Sequence, residues 1–361
     1  MESDPRHEAP LFYVFLPVLN DSEWLPGAIE SVIGQTTHNW QMVIGDNASD
    51  EDLKSVVGPY LGDSRITYHR WSTRVDIFPN FNRTLGLGRA PWLVVLCADD
   101  RLRPTYLERV QEVIDARVAA GHAEPGMVLT AARRLDAERQ AIEAEYYGWA
   151  GPAFVASGVY DAPSWLDVTC RPGSPPWGGG VFSRRIVETM GVAFREDDLQ
   201  MSADRELWLR IAAYGDVAYI ATPLLDVSGW TGSHTHGRTM RNRVSGNANT
   251  PEGSAYLRAL TAHAQRRHVA EPERAMVFAA VARSHQRRAM AHRMLPSGRG
   301  RRGAVADVWR AIRHSPRTAL APIGLAYAGL AVLAPGGVLR FARRRLLATR
   351  SRRANEPGSP S

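Results

Sequence analysis

Cysteine is nearly absent from this chain of 361 residues, which has only Cys97 and Cys170. Neither lies in a C-x-x-C pair, so a disulfide framework is excluded and a reducing compartment is expected. The opening Met1 to Pro10 is charged and has no apolar h-region, so no secretion signal is expected. There is no internal repeat. Neither G-x-x-x-x-G-K-[ST] nor a strand-linked G-x-G-x-x-G occurs, which counts against P-loop and dinucleotide enzymes.

What is present is ordinary in amount and uneven in placement. Hydrophobic residues make up 44% and charged residues 22%, which excludes both a disordered chain and one crossing a membrane many times. The formal charge of +7 and pI near 9.7 fit nucleic acid, an anionic membrane surface or phosphate-bearing substrates. Much of the excess sits late, at Arg299 to Arg302 and Arg343 to Arg353, whereas the first hundred residues hold more acid than base. No nucleic-acid partner is therefore expected for the core.

Short apolar runs alternate with helical patterns from the start. Phe12 to Val18, then a period-3.6 stretch through Leu25, Ile29 and Val32, then Gln41 to Gly45 make a βαβ opening. Further strands are expected at Ile66 to Arg70, Trp92 to Cys97, Met127 to Ala132 and Val217 to Ala221. A helix is expected after Pro104, with Leu107, Val110 and Ile114 on one face and Gly121 closing it, and another from about Asp204 to Gly215. Continuous apolar strands between helices imply an α/β fold with a largely parallel sheet covered on both faces. Tyr146 to Gly180, rich in Gly, Pro and aromatics, reads as an irregular insertion lining a site. Trp149, Trp165 and Trp177 in it either stack on a sugar or simply pack.

In such sheets ligands sit at the carboxyl ends of the strands, and three polar clusters stand just after apolar runs. Pro17, Leu19 and Asn20 follow the first strand, Asp46 and Asn47 the second, and Asp99 with Asp100 follow Trp92 to Cys97. The adjacent aspartates read either as a turn with a helix cap or as a site where Asp99 holds Mg²⁺ or Mn²⁺ against a diphosphate. Asp100 then caps the following helix or touches a sugar hydroxyl. Asp46 reads as a turn residue or as the acceptor for the imide N–H of a pyrimidine. Asn80 and Asn82 read as a self-satisfied loop or as contacts to ribose or phosphate. Asp204, at a helix start, is an N-cap or a general base toward an acceptor hydroxyl.

These clusters, in this order and spacing, resemble the family 2 glycosyltransferases of the GT-A fold. FLPVLNDSEWLPGAIESVIGQTTHNWQMVIGDNASD looks like that family's first β-α-β unit, NFNRTLGLGRAPWLVVLCADDRLRP is similar to the stretch leading into its DxD motif, and ADRELWLRIAAYG resembles the region of its catalytic base. The resemblance covers roughly Leu11 to Thr235. It implies a GT-A, Rossmann-like, mostly parallel sheet flanked by helices, and inverting transfer from a nucleoside-diphosphate sugar, UDP-linked, to an acceptor hydroxyl in envelope glycan or natural-product synthesis. Asp46 becomes the base-recognising carboxylate, Asp99 the metal ligand and Asp204 the general base, with a divalent metal, Mn²⁺ or Mg²⁺, as cofactor. A histidine that completes the metal shell in some relatives falls near Trp230 to His236, with His234 as candidate. Cys97 stands at the first acidic position of the DxD, and Ala203 where a glutamate usually precedes the base. The rival readings are a nucleotidyltransferase, which lacks its Gly-rich basic signature at Phe12 to Glu30, and a membrane-docked, non-catalytic scaffold of the same fold.

After about Ser233 the pattern turns helical and basic. Thr318 to Leu339 carries no formal charge and is followed by the Arg-rich run, so it reads as an in-plane or re-entrant segment on anionic lipid, with a true span or a plain core helix as the alternatives. The expected organisation is a catalytic domain at 1–235, a basic helical extension at 236–317 and an apolar segment with its tail at 318–361. A cytoplasmic enzyme, peripheral on the inner face of the plasma membrane and acting on a hydroxyl acceptor, with a lipid-linked carrier among the options, is the corresponding expectation.

Overall fold

All seven residues of β1 (Phe12–Val18) are buried, as a central strand covered on both faces requires. The computed structural model describes residues 10–136, 140–146, 156–162, 164–165, 179–194, 203–228, 265, 270–294 and 300–334. The chain divides into two compact units, Met1–Gly246 and Asn247–Ser361.

In the first unit β1 pairs in parallel with β2 (Trp40–Asp46) and β4 (Trp92–Val95), and β2 pairs in parallel with β3 (Ile66–Arg70). Beyond β4 come β5 (Arg101–Leu102), β6 (Met127–Leu135), β7 (Ala141–Tyr146), β8 (Gly158–Tyr160), β9 (Val181–Ser183) and β10 (Val217–Ser228). The sheet order is β3-β2-β1-β4-β9-β6-β10-β5. This is the expected α/β class, with one feature the periodicity did not carry. The three-residue β9 runs antiparallel between β4 and β6 and joins the first parallel block to the parallel β6–β10 pair.

Helices α1 (Leu25–Ile33), α2 (Leu53–Val57), α3 (Ile77–Leu85), α4 (Tyr106–Ala119), α5 (Arg184–Met190) and α6 (Ala203–Ala212) accompany the strands. On α1 the buried residues are Leu25, Ala28, Ile29 and Val32, the spacing of a single helical face. Helix α3 comes close because Gly45 leaves room: a Cβ there would lie 2.1 Å from Thr84 Oγ1. Gly88 does the same for the Tyr13 ring, which a Cβ would meet at 2.2 Å.

Four strands differ from their expected lengths, β2 by one residue at each end and β6 by three at its end, and the differences at β4 and β10 build the site. β4 ends at Val95, which frees Cys97 to Asp100 for a loop. β10 runs on past Ala221 to Ser228, with register shifts on either side of Pro223. Proline has no N–H for the ladder, so the strand bends there and carries Ser228 toward that loop.

The second unit consists, among the described residues, of α7 (Glu271–Met294), α8 (Gly300–His314), α9 (Pro316–Leu320) and α10 (Pro322–Leu333). Two of its buried clusters centre on small side chains, Ala282 with Ala311 and Ala319, and Ala289 with Ala304 and Ala331, with Ile312, Met290 and Val308 packed against them. Asp307, fully buried, accepts from His285 Nδ1 at 3.0 Å, Arg310 at 2.7 Å and Arg288 at 3.2 Å. The uncharged run that opens at Thr318 is broken at Ala321, where an extended ψ of 154° before Pro322 separates α9 from α10. No helix among the described residues is long and apolar enough to cross a membrane.

Candidate active site

The loops after β1 and β2 are tied to one another at the carboxyl edge of the sheet. Asn20 N–H donates to Ser49 Oγ at 2.8 Å, Asn20 Oδ1 accepts from Asp50 N–H at 2.9 Å, and Ser22 N–H reaches Glu51 at 2.8 Å. Asn20, Asp21 and Ala48 all have positive φ, at 63°, 66° and 55°. Asn and Asp tolerate that region, but Ala does not, and such a residue costs on the order of 1–2 kcal/mol. Strain concentrated at one sheet edge is a mark of a functional site. Pro17 lies at the buried end of β1, opposite Gly45, and Leu19 is half-buried in the loop beyond it.

Asp46 closes β2 with no exposed side-chain area. Its Oδ1 accepts from Ser49 N–H at 2.8 Å, and its Oδ2 from Tyr68 Oη at 2.5 Å and Arg70 at 2.7 Å. Burial pushes this carboxyl up, but the bonds from Ser49, Tyr68 and Arg70 outweigh it and leave it below the usual carboxylate range. Burial and the same carboxylate push the Tyr68 hydroxyl up to about 12. Arg70, 47% exposed, is the part of this cluster that faces solvent. Sequence reasoning missed Tyr68 and Arg70, although Arg70 ends β3 directly opposite Asp46 in register.

Three of the expected asparagines hold the scaffold. Asn47 exchanges two hydrogen bonds with the Val75 backbone, at 2.8 and 2.9 Å. Asn82 does the same with Phe194, at 2.6 and 2.9 Å. Asn80 is buried and accepts from Arg83 Nε at 2.9 Å. Arg83 also donates to Asn47 Oδ1 and to Thr73 O and lies 4.4 Å from the Trp71 ring centre. Asn80 and Asn82 stand on α3 and not in a loop, so their side chains lock that helix between the β2 edge and the segment after α5.

The loop after β4 gathers Cys97, Asp99 and Asp100, with one ligand atom from each within 4.8 Å of the others. Asp100 is buried and accepts the Ser228 N–H from the end of β10 at 3.2 Å. It caps no helix, contrary to one sequence reading, because β5 intervenes before α4. Burial, and then the charge of Asp99, push its carboxyl well above the ordinary range. Two carboxylates forced together in a buried corner disfavour a second negative charge, which is the imbalance a divalent cation relieves. The residues fit a hard cation through two oxygen donors, with the Cys97 sulfur as a softer third.

Asp204 is the second residue of α6, and its side chain lies outside the described residues, as do His234, Trp149 and Trp177. The helix itself is anchored by a buried pair, Arg210 to Glu206 at 2.7 Å, from which Arg210 reaches on to the carbonyls of Val192 and Ala193. Trp165 is fully buried and stands 6.0 Å from Tyr160, so it packs and does not face a ligand.

A mixed sheet whose parallel first block carries at its carboxyl edge a strained double loop, a buried carboxylate at the second strand and an acidic pair after the fourth is the arrangement that the resemblance to GT-A glycosyltransferases implies. Residues 13–128 match the family described as "Glycosyl transferase family 2". Over 97 residues the chain is 33% identical to a PGL/p-HBAD biosynthesis glycosyltransferase of Mycobacterium tuberculosis, a stretch that covers 26% of this chain and 37% of that relative. It is 41% identical to protein CgeD of Bacillus subtilis over 56 residues, 16% of this chain and 13% of CgeD. The fold is similar to that of S. aureus TarS 1-349 in complex with UDP-GlcNAc, at a TM-score of 0.56 and 12% identity over 92% of this chain and 91% of that one.

Proposed function

We propose that this chain transfers a sugar from a nucleoside-diphosphate donor, UDP-linked, to an acceptor hydroxyl with inversion at the anomeric carbon. The observation that carries the reading is the clustering of Asp99 with the buried Asp100 and Cys97 in the loop after β4. A divalent cation, Mn²⁺ or Mg²⁺, held by Asp99 with Asp100 and Cys97 in reach, would neutralise charge on the leaving diphosphate. Asp46, given above as the acceptor for the imide N–H of a pyrimidine, has no exposed side-chain area and is already bonded to Ser49, Tyr68 and Arg70, so we assign base recognition instead to the Arg70 guanidinium that it holds, donating to carbonyl oxygens of the base. Asp204 takes the proton of the acceptor hydroxyl, whose oxygen bonds to the anomeric carbon as the bond to the diphosphate oxygen breaks. A UDP-sugar complex of a structural neighbour and the glycosyltransferase names of the sequence relatives support the donor class.

Calorimetry with a panel of sugar nucleotides in Mn²⁺ tests the donor. Asp99→Ala is expected to abolish metal-dependent binding, whereas Asp204→Asn retains binding and loses transfer. Undiminished turnover in Asp204→Asn removes the assigned base. One observation favours a second reading, a non-catalytic scaffold: Cys97 and Ala203 stand where the family resemblance expects acids. Slow release of nucleoside diphosphate from the bound donor separates the two, because a scaffold releases none.

A further inference from the structure

Helix α10 is built inside out. It buries Gly324 and Ala331, and a Cβ on Gly324 would lie 2.4 Å from Ala319 O and 2.7 Å from Gln286 Nε2. Its large residues point the other way: Leu325, Leu330 and Leu333 are 53%, 51% and 73% exposed. With Pro322 and Ala326, also exposed, they recur at three- and four-residue intervals and make an outward stripe with no polar member. A helix on a soluble unit ordinarily turns such a stripe to the core. The helices that pack against α10 add Leu320 from α9 and Trp309 from α8, at 52% and 67% exposure.

Charge identifies what covers this face. Residues 300–334 contain five arginines, Arg301, Arg302, Arg310, Arg313 and Arg317, all exposed, and one acid, the buried Asp307. Arg302 and Arg313 fall on the same side of α8 as Trp309, seven residues before it and four after. Arg301 and Arg302 line an open cleft with Val305 and Ala306. A second copy of the chain would set these arginines against themselves across a two-fold interface. Residues 335–361, with seven arginines and one acid, carry the same sign and do not complement the patch. Exposed leucines on α10, with an exposed tryptophan and cations on the helices that pack against it, match a bilayer surface bearing anionic headgroups.

We propose that the α8–α10 face docks on an anionic phospholipid surface, with Trp309 and the outward leucines entering the boundary below the headgroups and Arg302, Arg313 and Arg317 meeting phosphates. At 12 residues α10 is about 18 Å long against a hydrocarbon core of about 30 Å, so it lies on the bilayer and does not cross it. The docking is independent of the transfer reaction proposed above.

The test is flotation of the full-length protein with vesicles of phosphatidylcholine and phosphatidylglycerol in equal parts, beside vesicles of phosphatidylcholine alone. The unaltered chain is expected to float with the anionic vesicles, less at high salt, and to stay below with the neutral ones. Leu325→Gln/Leu330→Gln/Leu333→Gln, at exposed positions, is expected to lower the partition coefficient by about tenfold or more. Arg302→Glu/Arg313→Glu/Arg317→Glu is expected to remove the preference for anionic lipid while thermal unfolding stays unchanged. Failure of the unaltered chain to float overturns the proposal, as does equal flotation of the leucine variant. A leucine variant that instead converts a dimer to a monomer in sedimentation, with no vesicle binding by the parent, overturns it in favour of self-association. Donor hydrolysis serves as the control and is expected to be the same in every variant.

Discussion

Asp46 and Asp100 are both buried aspartates at strand ends, and their surroundings drive them in opposite directions. Three side chains and one backbone N–H favour the charged form of Asp46, whereas Asp100 has the negative Asp99 as its neighbour. A carboxyl whose folded pKa is depressed adds stability above its unfolded value of about 3.9 and loses it as pH falls through the folded value. Asp46→Asn is therefore expected to lower unfolding free energy by about 2–3 kcal/mol at neutral pH, the scale of hydrogen bonds to a charged group. The gap to the unaltered protein should narrow in urea titrations as pH drops below about 4. A gap independent of pH would mean that shape, not charge, makes Asp46 necessary.

Among the elements, α3 and α6 matter most because each carries side chains that hold the site's loops. Helix α3 reaches the β2 edge only because Gly45 has no Cβ. Gly45→Ala drives a methyl into Thr84, 2.1 Å from its Oγ1, and is expected to destabilise by about 1–3 kcal/mol, with a matching drop in donor affinity in calorimetry as Asn80 and Arg83 shift. Helix α6 rests on Arg210, which is fully buried and bonded to Glu206 and to two carbonyls of the preceding segment. Arg210→Met takes the guanidinium from the buried Glu206 and from two carbonyls, and is expected to lower stability by about 3–5 kcal/mol in chemical denaturation. Loss of transfer in that variant with donor binding intact would mark Arg210 as the residue that positions α6, and so Asp204, toward the acceptor.

Across the whole molecule, a strand-based unit with the candidate chemistry is joined to a helical unit with an apolar, basic face. The second unit has its own interior, and α10 is part of it through Gly324 and Ala331. Truncation at Thr318 is thus expected to remove packing from α7 and α8 and to lower their helicity in circular dichroism. Helicity unchanged by that truncation would show that α10 is dispensable to the unit. Surface substitutions on the outward stripe, which leave the interior alone, isolate membrane contact from folding.

The sequence by itself determined the α/β class, most strand positions and the polar clusters at their ends, because apolar periodicity and turn residues act over a few neighbours and are written locally. It also located the basic excess at the C-terminal end. Only the tertiary structure decided that β9 enters the sheet antiparallel, that β10 continues to Ser228 and meets Asp100, and that Arg70 stands opposite Asp46. Each depends on pairing between residues far apart in sequence, which no local pattern encodes. The same holds for α10, whose outward leucines recur at helical spacing but stand opposite inward residues that are apolar too, so no contrast between faces gives them away. The helix is apolar all round, and what turned its small face inward was close packing against α7.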